Sequence, residues 1–211
     1  MSSTGRSDGV RRELDAYDTP AWCVQALMDD VSFLFSVGAQ FESLPDHGWV
    51  DPCGGAGAIA KAVTGWYDAR DLPVEQRHVW PRHHVHCIDI DPRGEAVVQG
   101  DYFGDWEHWP VDLVLTNPPY SLAEQFIRRA ADHARSHAWL LRLNFLAAQK
   151  RLPLWADLGT PDVYVLPKRP SFTGAGTDSC EYAWFVWPAG PKRSAGSVRV
   201  LELPARRGTL L

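Results

Sequence analysis

An apolar run, Val111-Asp-Leu-Val-Leu-Thr116, stops at Asn117-Pro-Pro-Tyr120, and a pattern of helical period, Ser121 to Arg135, begins at once. Consecutive prolines remove two backbone donors and fix two φ angles, so the ladder of a strand cannot pass through them. Strand, stiff corner and helix in direct succession are the repeating unit of an α/β sheet. Such sheets collect ligands at the carboxyl ends of their strands. The corner therefore holds an amide and a phenol ring where a ligand would lie.

The remaining sequence repeats the alternation. Strands are predicted at 48–51, 84–90, 96–99, 111–116, 138–146, 162–166 and 181–187. Helices are predicted over 17–35, from Ala58 onward, and over 121–135. Asp18 or Thr19 is expected to cap the first helix, with Pro20 at its first position. Ser121 and Glu124 have the capping-box spacing for the third. Strands that alternate with helices and then bunch late predict a mostly parallel seven-stranded sheet with an antiparallel edge strand. With 211 residues, 45% of them hydrophobic, the chain suits one domain over 16–190. Residues 1–15 read as a flexible tail, and 191–211 as a strand, "SVRVLEL", or a tail.

Several classes are disfavoured. The four cysteines, Cys23, Cys53, Cys87 and Cys180, have no CxxC spacing, which argues against a zinc ribbon and for a reducing compartment. No apolar run approaches the ~20 residues that span a bilayer, so no membrane partner is expected. "MSSTGRSDGVRRELD" lacks the apolar stretch of a signal peptide. His78, His83, His84, His86 and Cys87 run into an apolar strand, and read as a loop or nucleic-acid-facing edge rather than a metal site. A net charge of −5 argues mildly against tight nonspecific nucleic-acid binding, yet local basic pairs such as Lys168-Arg169 remain.

A second motif is Asp51-Pro-Cys-Gly-Gly-Ala-Gly57. Its glycines allow a tight turn and close backbone approach to a ligand, and the helix that follows points N–H groups into it. It is not a P-loop, since no Gly-Lys-Ser/Thr follows. Asp51 would repel a pyrophosphate and accept from an ammonium. S-adenosylmethionine carries an α-ammonium and a sulfonium. Asp89, ending the second strand, can take both hydroxyls of a ribose. Asp101 can accept from an adenine amine, with Tyr102 or Phe103 flanking the ring.

The glycine turn followed by Asn117-Pro-Pro-Tyr120 resembles the amino-methyltransferases, and more narrowly the small bacterial and phage DNA N6-adenine methyltransferases. The resemblance covers about residues 17–187. It implies a Rossmann-like S-adenosylmethionine-dependent methyltransferase fold. It implies cofactor contacts from Tyr17, Thr19 and Pro20 upstream, from Asp51, Pro52, Cys53, Gly55 and Gly57 in the turn, and from Asp89, Ile90, Asp101, Tyr102 and Asn117. Asn117, Pro118, Pro119 and Tyr120 form the implied catalytic motif. Cys53 stands where the family often has another small or an aromatic residue.

The chemistry follows without the family. The lone pair of an exocyclic adenine amine is delocalised into the ring. The Asn117 side-chain carbonyl and the Pro118 backbone carbonyl can each accept one N–H, drawing the nitrogen toward tetrahedral geometry. Tyr120 would stack on the ring, and no metal is needed. A base in a duplex must leave its stack to get there. "PKRPSFTGAGTDS" is the expected flank, with Lys168 and Arg169 on phosphates and Phe172 as a second wall. The expected partner is duplex DNA with a flipped adenine, bound by a monomer or weak dimer. Protein glutamine N5-methylation, RNA adenine methylation and a non-catalytic nucleic-acid-binding role remain open.

Overall fold

The computed structural model describes residues 17–38, 48–69, 85–104, 111–174 and 176–204. The predicted tail at 1–15 and the segment 71–84, with His78, His83 and His84, lie outside them. In chain order the elements are α1 (Ala21–Asp29), α2 (Val31–Gly38), β1 (Gly48–Asp51), α3 (Ala58–Asp68), β2 (Val85–Asp89), β3 (Val97–Gln99), β4 (Val111–Thr116), α4 (Ala123–His133), β5 (Ala134–Arg142), α5 (Leu152–Leu158), β6 (Asp162–Val165), β7 (Tyr182–Trp187) and β8 (Val198–Val200). No helix among the described residues is long and apolar enough to cross a membrane.

The strands form one sheet in the order β3-β2-β1-β4-β5-β7-β6-β8. All neighbours are parallel except β7, which runs antiparallel to both β5 and β6. The expected mostly parallel sheet with an antiparallel strand is present. It gains an eighth strand, because "SVRVLEL" supplies β8, parallel to β6 along the outer edge. From β1 the chain steps outward through β2 and β3, then returns to place β4 on the other side of β1. That reversal opens a crevice at the carboxyl ends of β1 and β4, where Asp51 and Asn117 lie.

The sheet is buried on both faces, which is why β4 and β7 are buried at every position and show no polar alternation, Asp112 and Thr116 being the polar residues of β4. Leu113, Leu115, Leu140 and Trp184 pack toward Leu27, Ile59 and Val63 of α1 and α3. Val114, Trp139, Leu141 and Phe185 pack on the other side with Phe126, Ile127 and Leu154. The buried positions of α4, Ala123, Phe126, Ile127 and Ala130, keep helical spacing.

Element ends depart from expectation for local reasons. The single helix predicted over 17–35 is two, because Asp30 Oδ1 accepts from the N–H groups of Ser32 (2.9 Å) and Phe33 (3.0 Å) and starts a new helix. Pro20 is the N-cap of α1 rather than its first residue. The Ser121–Glu124 box does not form. The chain reaches α4 through a tight turn in which Leu122 N–H donates to Pro119 O (2.9 Å), and Glu124 pairs with Arg128 one turn on. Strand β5 begins four residues earlier than predicted, directly after α4. Its polar start is internally bonded: Ser136 Oγ donates to Asp112 O (2.8 Å), and Trp139 Nε1 to His137 Nδ1 (2.7 Å). Burial, helped by nearby His133, pushes the His137 imidazole down to about 3, so it stays neutral.

Trp184 joins the two layers. It is fully buried on β7, and its indole N–H donates to Cys23 O of α1 (2.9 Å). Trp184→Ala would leave a large cavity and remove this tie to α1, at an expected cost of about 3–5 kcal/mol. Urea unfolding would measure it, and a loss under about 0.5 kcal/mol, the range of surface substitutions, would show that this contact does not hold α1 to the sheet.

Candidate active site

Strand β1 ends on Asp51, and the turn that follows is held from β2. Gly54 N–H donates to Ile88 O (2.8 Å). A Cβ on Gly54 would stand 2.9 Å from Cys87 Cβ, so only glycine lets the turn lie this close to the strand. Gly57, at φ 75°, is the N-cap of α3. Gly55 N–H donates to Asp89 Oδ2 (2.8 Å), while Asp89 Oδ1 accepts from Asp91 N–H (2.9 Å). Asp89 thus braces the turn as well as facing the crevice.

Asp51 is 1% exposed. Its Oδ1 accepts from Thr116 Oγ1 on β4 (2.6 Å) and from Cys53 N–H (3.2 Å). Burial nevertheless pushes its carboxyl up to about 7, with the nearby Asp89 charge adding to the rise and the two hydrogen bonds opposing it. A buried carboxyl of this kind becomes a strong partner for a cation that enters beside it.

At the end of β4 the side-chain oxygen of Asn117 is fully buried and has no hydrogen-bond partner among the described residues. Buried carbonyl oxygens are rarely left so. Pro118 and Pro119 fix the corner. Tyr120, next along, packs against Tyr182 with ring centroids 5.9 Å apart, under the Arg142 guanidinium. Burial raises its phenol well above the ordinary range, so the ring is neutral.

A cavity of about 50 Å³ joins these parts, drawing Tyr17, Thr19, Asp51, Gly55, Asp89 and Asn117 from four separated stretches of chain. Cys53 and Pro119 also border it. Pro20, Pro52 and Gly57 adjoin it as backbone of α1 and of the turn without lining it. Ile90, Asp101 and Tyr102 are not brought to it. Ile90 is 54% exposed, Asp101 accepts from Phe103 N–H (2.9 Å), and Tyr102 is 3% exposed. The Tyr102 ring stacks on Phe126 and its hydroxyl meets His133 Nε2 (3.1 Å), because the turn after β3 carries it into the core. Of that pair, Phe103 is the ring left half-exposed.

Arg93 escaped the sequence reading, and Asp18 entered it only as a candidate helix cap. Arg93 lies over the glycine turn, its Nη2 only 2.7 Å from where a Gly55 Cβ would stand. It pairs with Asp18 at 2.9 Å, and both border the cavity. The one sequence signal was the position of Arg93 just past Asp89 and Asp91.

The flank predicted for the substrate gathers beside Tyr120. Phe172 meets Tyr182 edge-on at 5.1 Å and reaches Tyr17 at 6.1 Å, linking the flank to the cavity mouth. Lys168 is exposed, with its ammonium 4.8 Å over the Trp22 ring. Arg169 donates from Nε to Glu181 Oε1 (3.0 Å).

No family model matches the chain. No curated protein matches it in sequence. Solved structures share its architecture. A Listeria monocytogenes protein assigned to the class I S-adenosylmethionine-dependent methyltransferases superposes with TM-score 0.58 at 12% identity, over 94% of this chain and 69% of that one. The M protein of the Type I restriction enzyme EcoKI gives 0.56 at 14%, over 86% of this chain and 47% of that one. A Pyrococcus horikoshii protein assigned as an RNA methyltransferase gives 0.54 at 13%, over 83% and 86%. The chain therefore has the Rossmann-like fold of S-adenosylmethionine-dependent methyltransferases. It spans about half the length of the EcoKI subunit.

Proposed function

We propose that the chain transfers a methyl group from S-adenosylmethionine to the N6 amine of adenine in DNA. The observation that carries this reading is the unpaired Asn117 oxygen, a buried acceptor in the same cavity as Asp51 and Asp89. A buried acceptor with no partner among the described residues is preorganised for positive charge that develops on a bound substrate.

The residues present fit the cofactor. In this reading Asp51 takes its ammonium, Asp89 its ribose hydroxyls, and Tyr17 and Thr19 the region of its methionine carboxylate, where Arg93 adds a counter-charge; all five border one cavity. When bound, the cofactor supplies an electrophilic methyl group on sulfur. Asn117 Oδ1 accepts one N–H of the substrate amine and Pro118 O the other, which frees the nitrogen lone pair for attack. Neutral Tyr120 offers a stacking face worth ~1–3 kcal/mol to a base turned out of its helix. Phe172 stands as the opposite wall. Lys168 and Arg169 are available for phosphates. The Arg169–Glu181 pair is exposed, so exchanging it for a phosphate costs little. The chain acts as a monomer or weak dimer in this reading.

The test is transfer of labelled methyl to unmethylated duplex DNA, RNA and protein in parallel, with digestion of the product to nucleosides. N6-methyldeoxyadenosine is expected. Label confined to protein, or to another atom of a base, would overturn the reading. Label confined to RNA adenine would establish the second reading, which the likeness to the Pyrococcus protein favours.

A further inference from the structure

We propose that Arg142 is a positioning residue for the target base, and that it ties the catalytic turn to the Ser171–Ser179 segment through Tyr182 and Asp178. This rests on the methyl-transfer reading above.

Arg142 is the last residue of β5, at the same edge of the sheet as Asn117. Its guanidinium carbon lies 5.0 Å from the centre of the Tyr120 ring. From that position Nε donates to the Tyr182 hydroxyl (3.1 Å), and the hydroxyl donates onward to Asp178 Oδ2 (3.0 Å). Asp178 in turn shapes its own segment. Its Oδ1 accepts from Cys180 N–H (3.0 Å), and its N–H donates to Pro170 O (2.8 Å), closing the loop that carries Phe172. The Phe172 ring returns to Tyr182, edge-on at 5.1 Å. Burial disfavours the Arg142 charge, but Tyr182, Cys180 and Asp178 hold it above its ordinary value, so the cation persists.

Two consequences follow from this geometry. The cation occupies one face of Tyr120, so a base has to meet the other. The two walls proposed for the base, Tyr120 and Phe172, are also linked through one guanidinium, which reaches Asp178 both by way of the Tyr182 hydroxyl and directly, with Nη2 3.9 Å from Asp178 Oδ2. A lysine offers the charge without the planar fork that serves the ring and the hydroxyl together. None of these four side chains lines the cavity of Asp51 and Asn117. Loss of the line should therefore spare cofactor binding.

The experiment uses the full chain with Arg142→Ala, Arg142→Lys, Tyr182→Phe and the Arg142→Ala/Tyr182→Phe pair. Cofactor affinity, thermal midpoint and methyl transfer to duplex DNA are measured for each. Arg142→Ala is expected to lower kcat/KM for DNA by ~10–100-fold through lost alignment, with cofactor affinity unchanged. Arg142→Lys should recover little of it. The double variant should be no worse than Arg142→Ala, since both changes cut one line. Wild-type kinetics in Arg142→Ala, full rescue by lysine, additive losses, or a parallel fall in cofactor affinity would each overturn the proposal. Hydrogen exchange on the same variants reads the line without turnover. Arg142→Ala should speed exchange both around Tyr120 and across Ser171–Ser179, and acceleration on one side alone would overturn it. Should the wild-type chain methylate no nucleic acid, the proposed function falls, while exchange still decides the coupling.

Discussion

Asn117→Ala is expected to lower methyl transfer about 10²–10³-fold, the usual loss when a preorganised electrostatic partner is removed. Its effect on folding should be small, within about 1 kcal/mol, because the Asn117 oxygen makes no hydrogen bond among the described residues that would be lost. The change should also leave cofactor affinity nearly intact. Asp51, Asp89 and the glycine turn hold each other through bonds in which the Asn117 oxygen takes no part. Transfer kinetics and cofactor titration on the same sample check both halves. If affinity collapsed together with turnover, Asn117 would be serving the fold of the crevice instead of the chemistry.

Asp51→Asn should produce two effects of opposite sign. In the folded chain the Asp51 carboxyl ionises near 7, against 3.8 for the ordinary group. A raised acid pKa means the unfolded chain gives up its proton first. The stability contributed by this group is therefore complete below about pH 4, declines as pH rises, and is gone above about 7. A neutral amide at position 51 removes that penalty, so the variant should melt higher than wild type at pH 8. Cofactor binding should move the other way. An ammonium is held best by the ionised carboxylate, so wild-type affinity should rise by up to about tenfold per pH unit from pH 5 to 7 and then level. In Asp51→Asn the affinity should be lower at pH 8 and flat across that window. Calorimetric titration from pH 5 to 8 together with melting curves would check this. A wild-type affinity that falls as pH rises would remove Asp51 from the ammonium site.

The parts of the fold that were legible in the sequence are those where one physical rule acts alone. Strand β4 is buried on both faces, so it is a plain apolar run, and two prolines mark its end. The glycine turn announces itself because Gly54 has Cys87 against it and no side chain fits. Strand β5 was displaced by four residues because its polar opening, Arg135-Ser-His137, looks like the end of a helix. Only in the sheet do Ser136 and His137 find their partners. The division between α1 and α2 rests on Asp30, whose side chain stops one helix and starts the next inside an otherwise continuous pattern.

The candidate site divides in the same way. Asp51, Asp89 and Asn117 each end a strand, so strand order alone brings them together. Tyr102 turns away from the cavity because the side to which the turn after β3 presents it is decided by Phe126 and His133, far along the chain. Arg93 was missed because its meaning comes from Asp18, 75 positions earlier.

Helix α4 passes into β5 with no residue between them, His133 ending one and Ala134 starting the other. The crossover from Asn117 to Arg142 is therefore a span without slack: a lengthened or shortened version would rotate Arg142 away from Tyr120 or shift the whole ladder against β4. Variation in what such a scaffold accepts has to be written outside this span, and the Phe172 loop, tethered at Pro170 and Asp178, is the place where inserted residues would leave the Asn117–Tyr120 corner unmoved.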